Sequence, residues 1–192
     1  MDILALASKM KELGVKARPA VLLEQIKEVE AQAGIKLPED YALFITQVGD
    51  GWDKQVVKRS IWQEMKSVFS YEDLSLLCEP FPYTDTWIWE GRETNPLPGE
   101  SDEEWDKRVD ELLRSKHFGN IFLMRGSNGE KFHLILNGEC SGEVWIFTDI
   151  GVAPCSPRVT FSEWIASWLG SKTGGKAIDR QVMQDMDNEA DE

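Results

Sequence analysis

Apolar side chains recur every three or four residues in five stretches of the chain, a spacing that predicts amphipathic helices. The first stretch runs from Asp2 to Leu13, and the second begins at Pro19. The fourth begins at Ser101 and the fifth at Thr160, where a hydroxyl residue followed three positions later by glutamate predicts a capping box. Helices are therefore expected towards both ends of the chain.

The third predicted helix has the clearest start and end of the five. Pro38 suits its first helical position, because the φ angle of proline is already fixed and its missing N–H is not needed there. Gly49 is expected to end the helix in the left-handed conformation, and Gly51 lies in the turn that follows. The apolar stripe of this helix consists of Tyr41, Phe44, Ile45 and Val48.

Three later segments show the patterns of β-strands and follow one another closely. They cover residues 121–125, 132–136 and 144–148, with glycine-containing turns between them. A run of strands with helices before and after it predicts an α+β fold, with a twisted, mainly antiparallel sheet of about four to six strands. We expect a single domain over residues 1–170 and a flexible, acidic tail over residues 171–192.

The segment Leu37–Trp52, which reads LPEDYALFITQVGDGW, resembles the signature of the SUKH superfamily. Later segments are similar to the strands and closing helix of that family and come in the same order: Ile121–Gly129, Phe132–Leu136, Val144–Phe147 and Phe161–Ile165. The resemblance extends from about Val21 to Leu169. It implies a protein-binding domain, since SUKH domains include fungal regulators of cell-wall synthesis and bacterial immunity proteins that bind and neutralise polymorphic toxins.

Composition narrows the classes of partner. The 192 residues include 21 basic and 34 acidic ones, which give a net charge of −13. Nucleic acids and anionic membranes need clustered lysine and arginine, so neither is an expected partner. An acidic surface suits a basic protein such as a toxin nuclease, although acidity for solubility alone explains the same charge. Three cysteines without a CxxC pair favour a reduced, cytoplasmic protein.

The chain offers little for catalysis. His133 lies within a predicted strand, where it is expected to pack or to face solvent, and no further metal ligands lie close to it in sequence. Cys140 lies beside two glutamates that would raise the pKa of its thiol. The acidic run Asp102–Glu104 is explained by the dipole at the start of a helix. We therefore predict a protein that is not an enzyme and uses no metal or cofactor.

Tryptophans beside carboxylates are the candidates for a protein-binding surface, since tryptophan carries much of the binding energy of interfaces. Trp87 and Trp89 lie in a segment, Phe81–Gly99, that is expected to be a loop, and binding and packing explain them equally well. Packing is favoured for Trp52. Three other tryptophans fall on helical stripes and are expected in the core: Trp105, Trp164 and Trp168. The candidate binding residues are Asp50, Trp52, Asp53, Trp87, Trp89, Glu103, Glu104 and Asp106.

The predicted function is that of a non-enzymatic immunity protein that binds and neutralises a basic toxin domain. A scaffold or regulator of cell-envelope synthesis is the alternative that the fungal branch of the resemblance implies. A third alternative, a glycan-binding or glycan-hydrolysing protein, depends on exposed tryptophans that are flanked by carboxylates.

Overall fold

The computed structural model of the chain describes residues 2–57, 60–71, 73–88, 91–126 and 129–170. These residues form six helices: α1 Ile3–Leu13, α2 Leu23–Ala33, α3 Glu39–Gln47, the single turn α4 Gly91–Thr94, α5 Asp102–Ser115 and α6 Phe161–Gly170. They also form seven strands: β1 Gln55–Val57, β2 Ser60–Trp62, β3 Trp87–Ile88, β4 Asn120–Arg125, β5 Lys131–Ile135, β6 Val144–Phe147 and β7 Gly151–Pro154. The α+β prediction is confirmed. The predicted tail over residues 171–192 lies outside the described part.

The helix α1 matches its prediction, whereas α2 starts later than the sequence predicts. α2 begins at Leu23 and not at Pro19. The chain before it is extended, and the backbone N–H of Val21 donates to the carbonyl of Ile45 at 3.0 Å. Leu22, an apolar residue that the predicted helix would have included, lies before α2 and is 65% exposed. Packing of this extended segment against α3 outweighs the local helical signal.

The helix α3 packs its predicted stripe into the core. Three residues of the stripe have no exposed surface: Tyr41, Phe44 and Ile45. Pro38 is the extended residue before the helix rather than its first helical residue. The C-cap residue of α3 is Val48, with φ −106°, and Gly49 follows it with φ 153°. The prediction of a left-handed cap at Gly49 is therefore wrong.

Close approach of backbones explains the two glycines of the turn after α3. A Cβ atom at Gly49 would lie 2.3 Å from the carbonyl oxygen of Arg18. A Cβ atom at Gly51 would lie 2.3 Å from the carbonyl oxygen of Met65, and Gly51 also has a left-handed φ of 72°. The turn thus joins the segment before α2, the end of α3 and the segment after β2.

Five strands form an antiparallel sheet in the order β3–β7–β6–β5–β4, and β1 and β2 form a separate hairpin. The predicted meander corresponds to β4, β5 and β6, whereas β7 and the two-residue β3 were not predicted. A bulge lies in β4 between Phe122 and Met124. Beyond β4, the N–H of Lys66 donates to the carbonyl of Leu123 at 2.7 Å, and the Tyr71 hydroxyl accepts a hydrogen bond from the N–H of Phe122.

Both faces of the five-stranded sheet are covered. The first face joins the main core with α1, α3 and α6. The core prediction for Trp164 and Trp168 is confirmed, since α6 buries its whole apolar stripe there: Phe161, Trp164, Ile165, Trp168 and Leu169. The second face carries Trp145 and Phe147 of β6, which pack with Phe81 and Trp87 in a smaller cluster. Neighbouring residues of β6 therefore alternate between two buried faces.

The helix α5 stands apart from both clusters. It begins with the predicted capping box of Ser101 and Glu104, but none of its residues is buried. Trp105, which was expected in the core, is only half-buried, and its indole N–H donates to the carbonyl of Thr94 at 2.6 Å. The apolar stripe of α5 therefore does not join the core.

Candidate functional site

The candidate residues of the turn after α3 are held by Arg18. Its guanidinium donates to the Asp50 carbonyl at 2.8 Å and to the Asp53 carboxylate at 2.9 Å. Trp52 has no exposed surface, and its indole N–H donates to the carbonyl of Gln63 at 2.8 Å. Trp52 is therefore a packing residue, and its inclusion among the binding residues is corrected. Asp53 stays exposed at the edge of this turn.

The candidate Trp87 is half-buried at the β3 edge of the sheet. Its ring stacks on Tyr83, with 4.8 Å between the ring centroids and an interplanar angle of 24°. Its indole N–H donates to the carboxylate of Glu93 at 3.2 Å. Trp89, the other tryptophan of this segment, lies outside the described residues. Because one face of Trp87 is covered by Tyr83, this tryptophan both packs and remains partly accessible.

The acidic candidates of α5 are exposed. Glu103 and Asp106 make no ion pair within the described part of the chain. Glu104 has a structural role, because its carboxylate accepts hydrogen bonds from the Ser101 N–H at 3.0 Å and from the Ser101 hydroxyl at 2.7 Å. These bonds lower the pKa of Glu104. Of the three acidic candidates of α5, Glu103 and Asp106 are therefore better placed than Glu104 to contact a partner.

An arginine holds α5 in place. Arg108 donates to both carboxylate oxygens of Glu100, at 2.8 and 2.9 Å, and to the carbonyl of Asn95 at 2.9 Å. Hydrogen bonds from Arg108 and from the N–H of Leu97 lower the pKa of Glu100 to about 2. This bidentate pair fixes the start of α5 against the segment before it.

The structure separates the predicted binding residues into two groups. Trp87 is linked to α5 through Glu93, whose carbonyl also accepts a hydrogen bond from Arg108. The turn with Asp50 and Asp53 packs on the segment that runs beside β4. Because β3 and β4 are opposite edges of a five-stranded sheet, they lie roughly 19 Å apart. The seven candidates that the structure describes therefore do not form one continuous site.

A cleft of about 570 Å³ lies on the second face of the sheet beside β4 and β5, and we call it the cationic cleft. Four basic side chains line it: Lys54, Lys66, Arg125 and Lys131. Among the described residues of this lining, Glu64 is the one carboxylate, and its oxygen lies 3.8 Å from a guanidinium nitrogen of Arg18. The cleft therefore concentrates positive charge in a chain whose net charge is −13.

Within the described residues, the lysine and arginine side chains that line the cationic cleft outnumber the carboxylates by four to one. None of its four basic side chains lies within ion-pairing distance of a carboxylate in the described ranges. Arg125 and Lys131 are direct cross-strand partners, and like charges in that position destabilise a sheet. A cleft that is lined mainly by one sign of charge concentrates ligands of the opposite charge, so this cleft favours an anion.

His133 forms the floor of the cationic cleft. It is 5% exposed, and its ring stacks on Phe147 at 3.9 Å. The amide nitrogen of Asn120 donates to the carbonyls of Lys116 and Phe118, so its oxygen is free to accept a hydrogen bond from Nδ1 of His133 at 2.7 Å. This geometry assigns the proton to Nδ1 and leaves Nε2 as an acceptor.

Burial is the main reason why the pKa of His133 lies well below its usual value of 6.5, and the nearby His117, Lys131 and Lys116 lower it further. The pKa of His117, at the mouth of the cleft, is lowered by partial desolvation, by Lys116 and by Lys131. Both imidazoles are therefore neutral near pH 7. Of the two positions predicted for His133, packed or facing solvent, the packed one is observed, because its side chain is buried.

The other candidate chemistry is weak. Cys140 is buried, and burial raises the pKa of its thiol more than the hydrogen bond from Arg158 lowers it. Among the described residues, no three side chains of histidine, cysteine or acidic type are grouped to hold a metal ion. Within the same ranges, no helix combines the length and the hydrophobicity that crossing a bilayer requires.

Comparisons of the chain with profiles of protein families, with curated proteins and with solved structures find no match. The SUKH resemblance therefore stays a prediction from the sequence.

Proposed function

We propose that this chain is a non-enzymatic protein-binding domain that neutralises a basic toxin domain, with the acidic face of α5 as the docking surface. The observation that carries the proposal is the charge of one exposed segment. Between Glu100 and Glu111 the sequence has seven carboxylates and two basic residues, and α5 buries none of its side chains. Charge density of this kind steers a basic partner towards the surface that bears it.

The position of the carboxylates along α5 supports binding over helix stabilisation. Carboxylates in the first turn complement the helix dipole, and this explains Asp102, Glu103 and Glu104. The dipole effect fades beyond the first turn, so it does not explain Asp106 and Asp110, which are also exposed. The later carboxylates are therefore the ones for which binding is the better explanation.

The anchoring of α5 supports the same proposal. Its start is held by the Arg108–Glu100 pair and by the hydrogen bond from Trp105 to Thr94. A surface that is fixed before binding loses less conformational entropy when a partner docks. The resemblance to bacterial immunity proteins agrees with this role.

The test uses a toxin domain encoded next to this gene. We expect co-expression of this chain to protect cells from that toxin, and the two purified proteins to associate faster at low than at high salt. Failure of the chain to bind the toxin domain, or to protect cells that express it, would contradict the proposal.

A charge variant of α5 locates the interface. The triple variant E103Q/D106N/D110N should slow association by about tenfold at low salt and flatten its salt dependence, because it removes steering charge. Glu104 is left unchanged because it caps the helix. The matched control, E24Q/E28Q/E139Q, removes three exposed carboxylates elsewhere and should change the association rate much less. Equal effects of the two variants would remove α5 from the interface.

A further inference from the structure

The cationic cleft has an inner recess of different character. A second cavity of about 120 Å³ shares Tyr71, His117 and His133 with the lining of the cleft, so the two cavities adjoin at these side chains. Leu76 and Leu77 line the recess and make one side of it apolar. Positive charge at the mouth and an apolar recess behind it are the features of a site for an organic anion rather than for a simple inorganic ion.

Hydrogen-bonding groups in the recess favour a ring that carries N–H donors. Nδ1 of His133 is engaged by Asn120, and Nε2 has no hydrogen-bond partner among the described residues. The Asp73 carboxylate, which also borders the recess, accepts a hydrogen bond from the N–H of Ser75 at 2.8 Å, and this bond lowers the pKa of Asp73. Both groups are therefore acceptors near pH 7.

Size limits the ligand further. A cavity of about 150 Å³ holds one benzene ring, so a recess of about 120 Å³ that adjoins a larger cleft suits at most a single six-membered ring. The cleft itself has the volume of sites that bind drug-sized ligands. A nucleic-acid strand is disfavoured, because the remaining surface of the chain is acidic and repels a long polyanion.

We propose that the cationic cleft binds a pyrimidine nucleotide, with the phosphates among Lys66, Arg125 and Lys131 and the pyrimidine ring in the recess beside His133. The phosphates neutralise the cross-strand repulsion between Arg125 and Lys131. This proposal does not rest on the proposed function, because the cleft and the acidic face of α5 use different side chains.

Isothermal titration calorimetry on the full chain tests the proposal with UDP, CDP, ADP, GDP, pyrophosphate and uridine. We expect UDP or CDP to bind at least about tenfold more tightly than pyrophosphate, uridine and both purine nucleotides. Absence of binding by every nucleotide at millimolar concentration overturns the proposal. Equal affinity for pyrophosphate overturns the role of the recess, and equal affinity for uridine overturns the role of the basic side chains.

Variants separate the two parts of the site. Replacing Lys66 and Arg125 by glutamine should weaken binding of the preferred nucleotide by about tenfold to a hundredfold, since charge-assisted hydrogen bonds are lost. The control K11Q/K27Q removes two exposed charges outside the cleft and should leave the affinity within about twofold. Leu76→Trp should occupy part of the recess and weaken nucleotide binding while binding of pyrophosphate is unchanged.

The thermal unfolding midpoint shows whether a variant has lost nucleotide binding or has lost its fold. Arg125→Gln removes one of two facing like charges, so its thermal midpoint should equal or exceed that of the unmodified chain. Lost nucleotide binding at an unchanged or higher midpoint supports the proposal. Unchanged nucleotide affinity in both cleft variants overturns it.

Discussion

At the scale of single residues, Gly51 shows how one position holds distant segments together. Its neighbour Trp52 exchanges backbone hydrogen bonds with Met65, at 2.9 and 3.3 Å. The Met65 carbonyl also accepts a hydrogen bond from Arg18 at 2.6 Å. A side chain at Gly51 would displace this carbonyl and so disturb both sets of bonds.

Gly51→Ala is expected to lower the free energy of unfolding by about 3 kcal/mol, of which about 1 kcal/mol reflects the left-handed backbone and the rest the collision with Met65. Gly99→Ala is the matched control, because Gly99 also has a positive φ but has no atom within 4 Å of the added Cβ. It should cost only about 1 kcal/mol. Urea unfolding measures both values, and equal losses would contradict the role of the close contact.

At the scale of elements, α5 and α6 begin with the same kind of capping box but differ in how deeply they are buried. Both have a hydroxyl residue and a glutamate in a capping box, at Ser101 and at Thr160. α6 packs its stripe into the main core, whereas α5 buries no side chain. Loss of the capping box should therefore lower the global stability of the protein in α6 but only increase local opening in α5.

Thr160→Ala is expected to lower the free energy of unfolding by about 1 kcal/mol, because loss of a cap in a core helix destabilises the whole fold. Ser101→Ala should change global stability less while amide hydrogen exchange in α5 becomes faster. Denaturant unfolding and hydrogen exchange followed by mass spectrometry measure the two effects. An equal loss of global stability in both variants would contradict the peripheral position of α5.

Helices and strands with strong local signals were predictable from the sequence. The capping boxes, the stripe of α3 and the meander β4–β6 all follow from patterns of a few residues. The late start of α2 and the presence of β3 could not be predicted in this way, because tertiary contacts determine both. Leu22 is exposed because its neighbour Val21 bonds to Ile45, which lies beyond the reach of a local pattern.

The candidate site was less predictable than the fold. Lys131 and His133 share a face of β5 because they are two residues apart, and this was the one local signal. Arg125 reaches the same face only through the bulge after Phe122, which changes the alternation of β4. The other cationic residues come from separate segments, so their convergence depends on the complete fold.

At the scale of the whole molecule, an acidic exterior surrounds a positively charged cleft with two histidines. The pKa of His133 in the folded chain lies well below 6.5, the usual value for an unfolded chain. As the pH falls below 6.5, the unfolded chain therefore binds a proton at His133 and the folded chain does not. The stabilisation from neutral His133 is therefore complete above pH 6.5 and is lost as the pH falls below it.

We expect the free energy of unfolding to decrease between pH 6.5 and pH 5, and His133→Gln to reduce that pH dependence. Glutamine keeps a donor for Asn120 and removes the titrating group. His117→Gln is the companion variant, because its pKa is lowered in the same direction but less strongly. Urea unfolding across this range measures the slope, and an unchanged slope in His133→Gln would contradict the assignment.

The covered edge of β4 has a consequence for how the protein behaves at high concentration. Exposed strand edges are templates on which other chains add strands and aggregate. Here the β4 edge is covered through Lys66, whose N–H donates to Leu123, and through Tyr71, whose hydroxyl accepts from the N–H of Phe122. The β4 edge thus leaves little continuous backbone for another strand to pair with, a safeguard against self-association that is independent of the acidic surface.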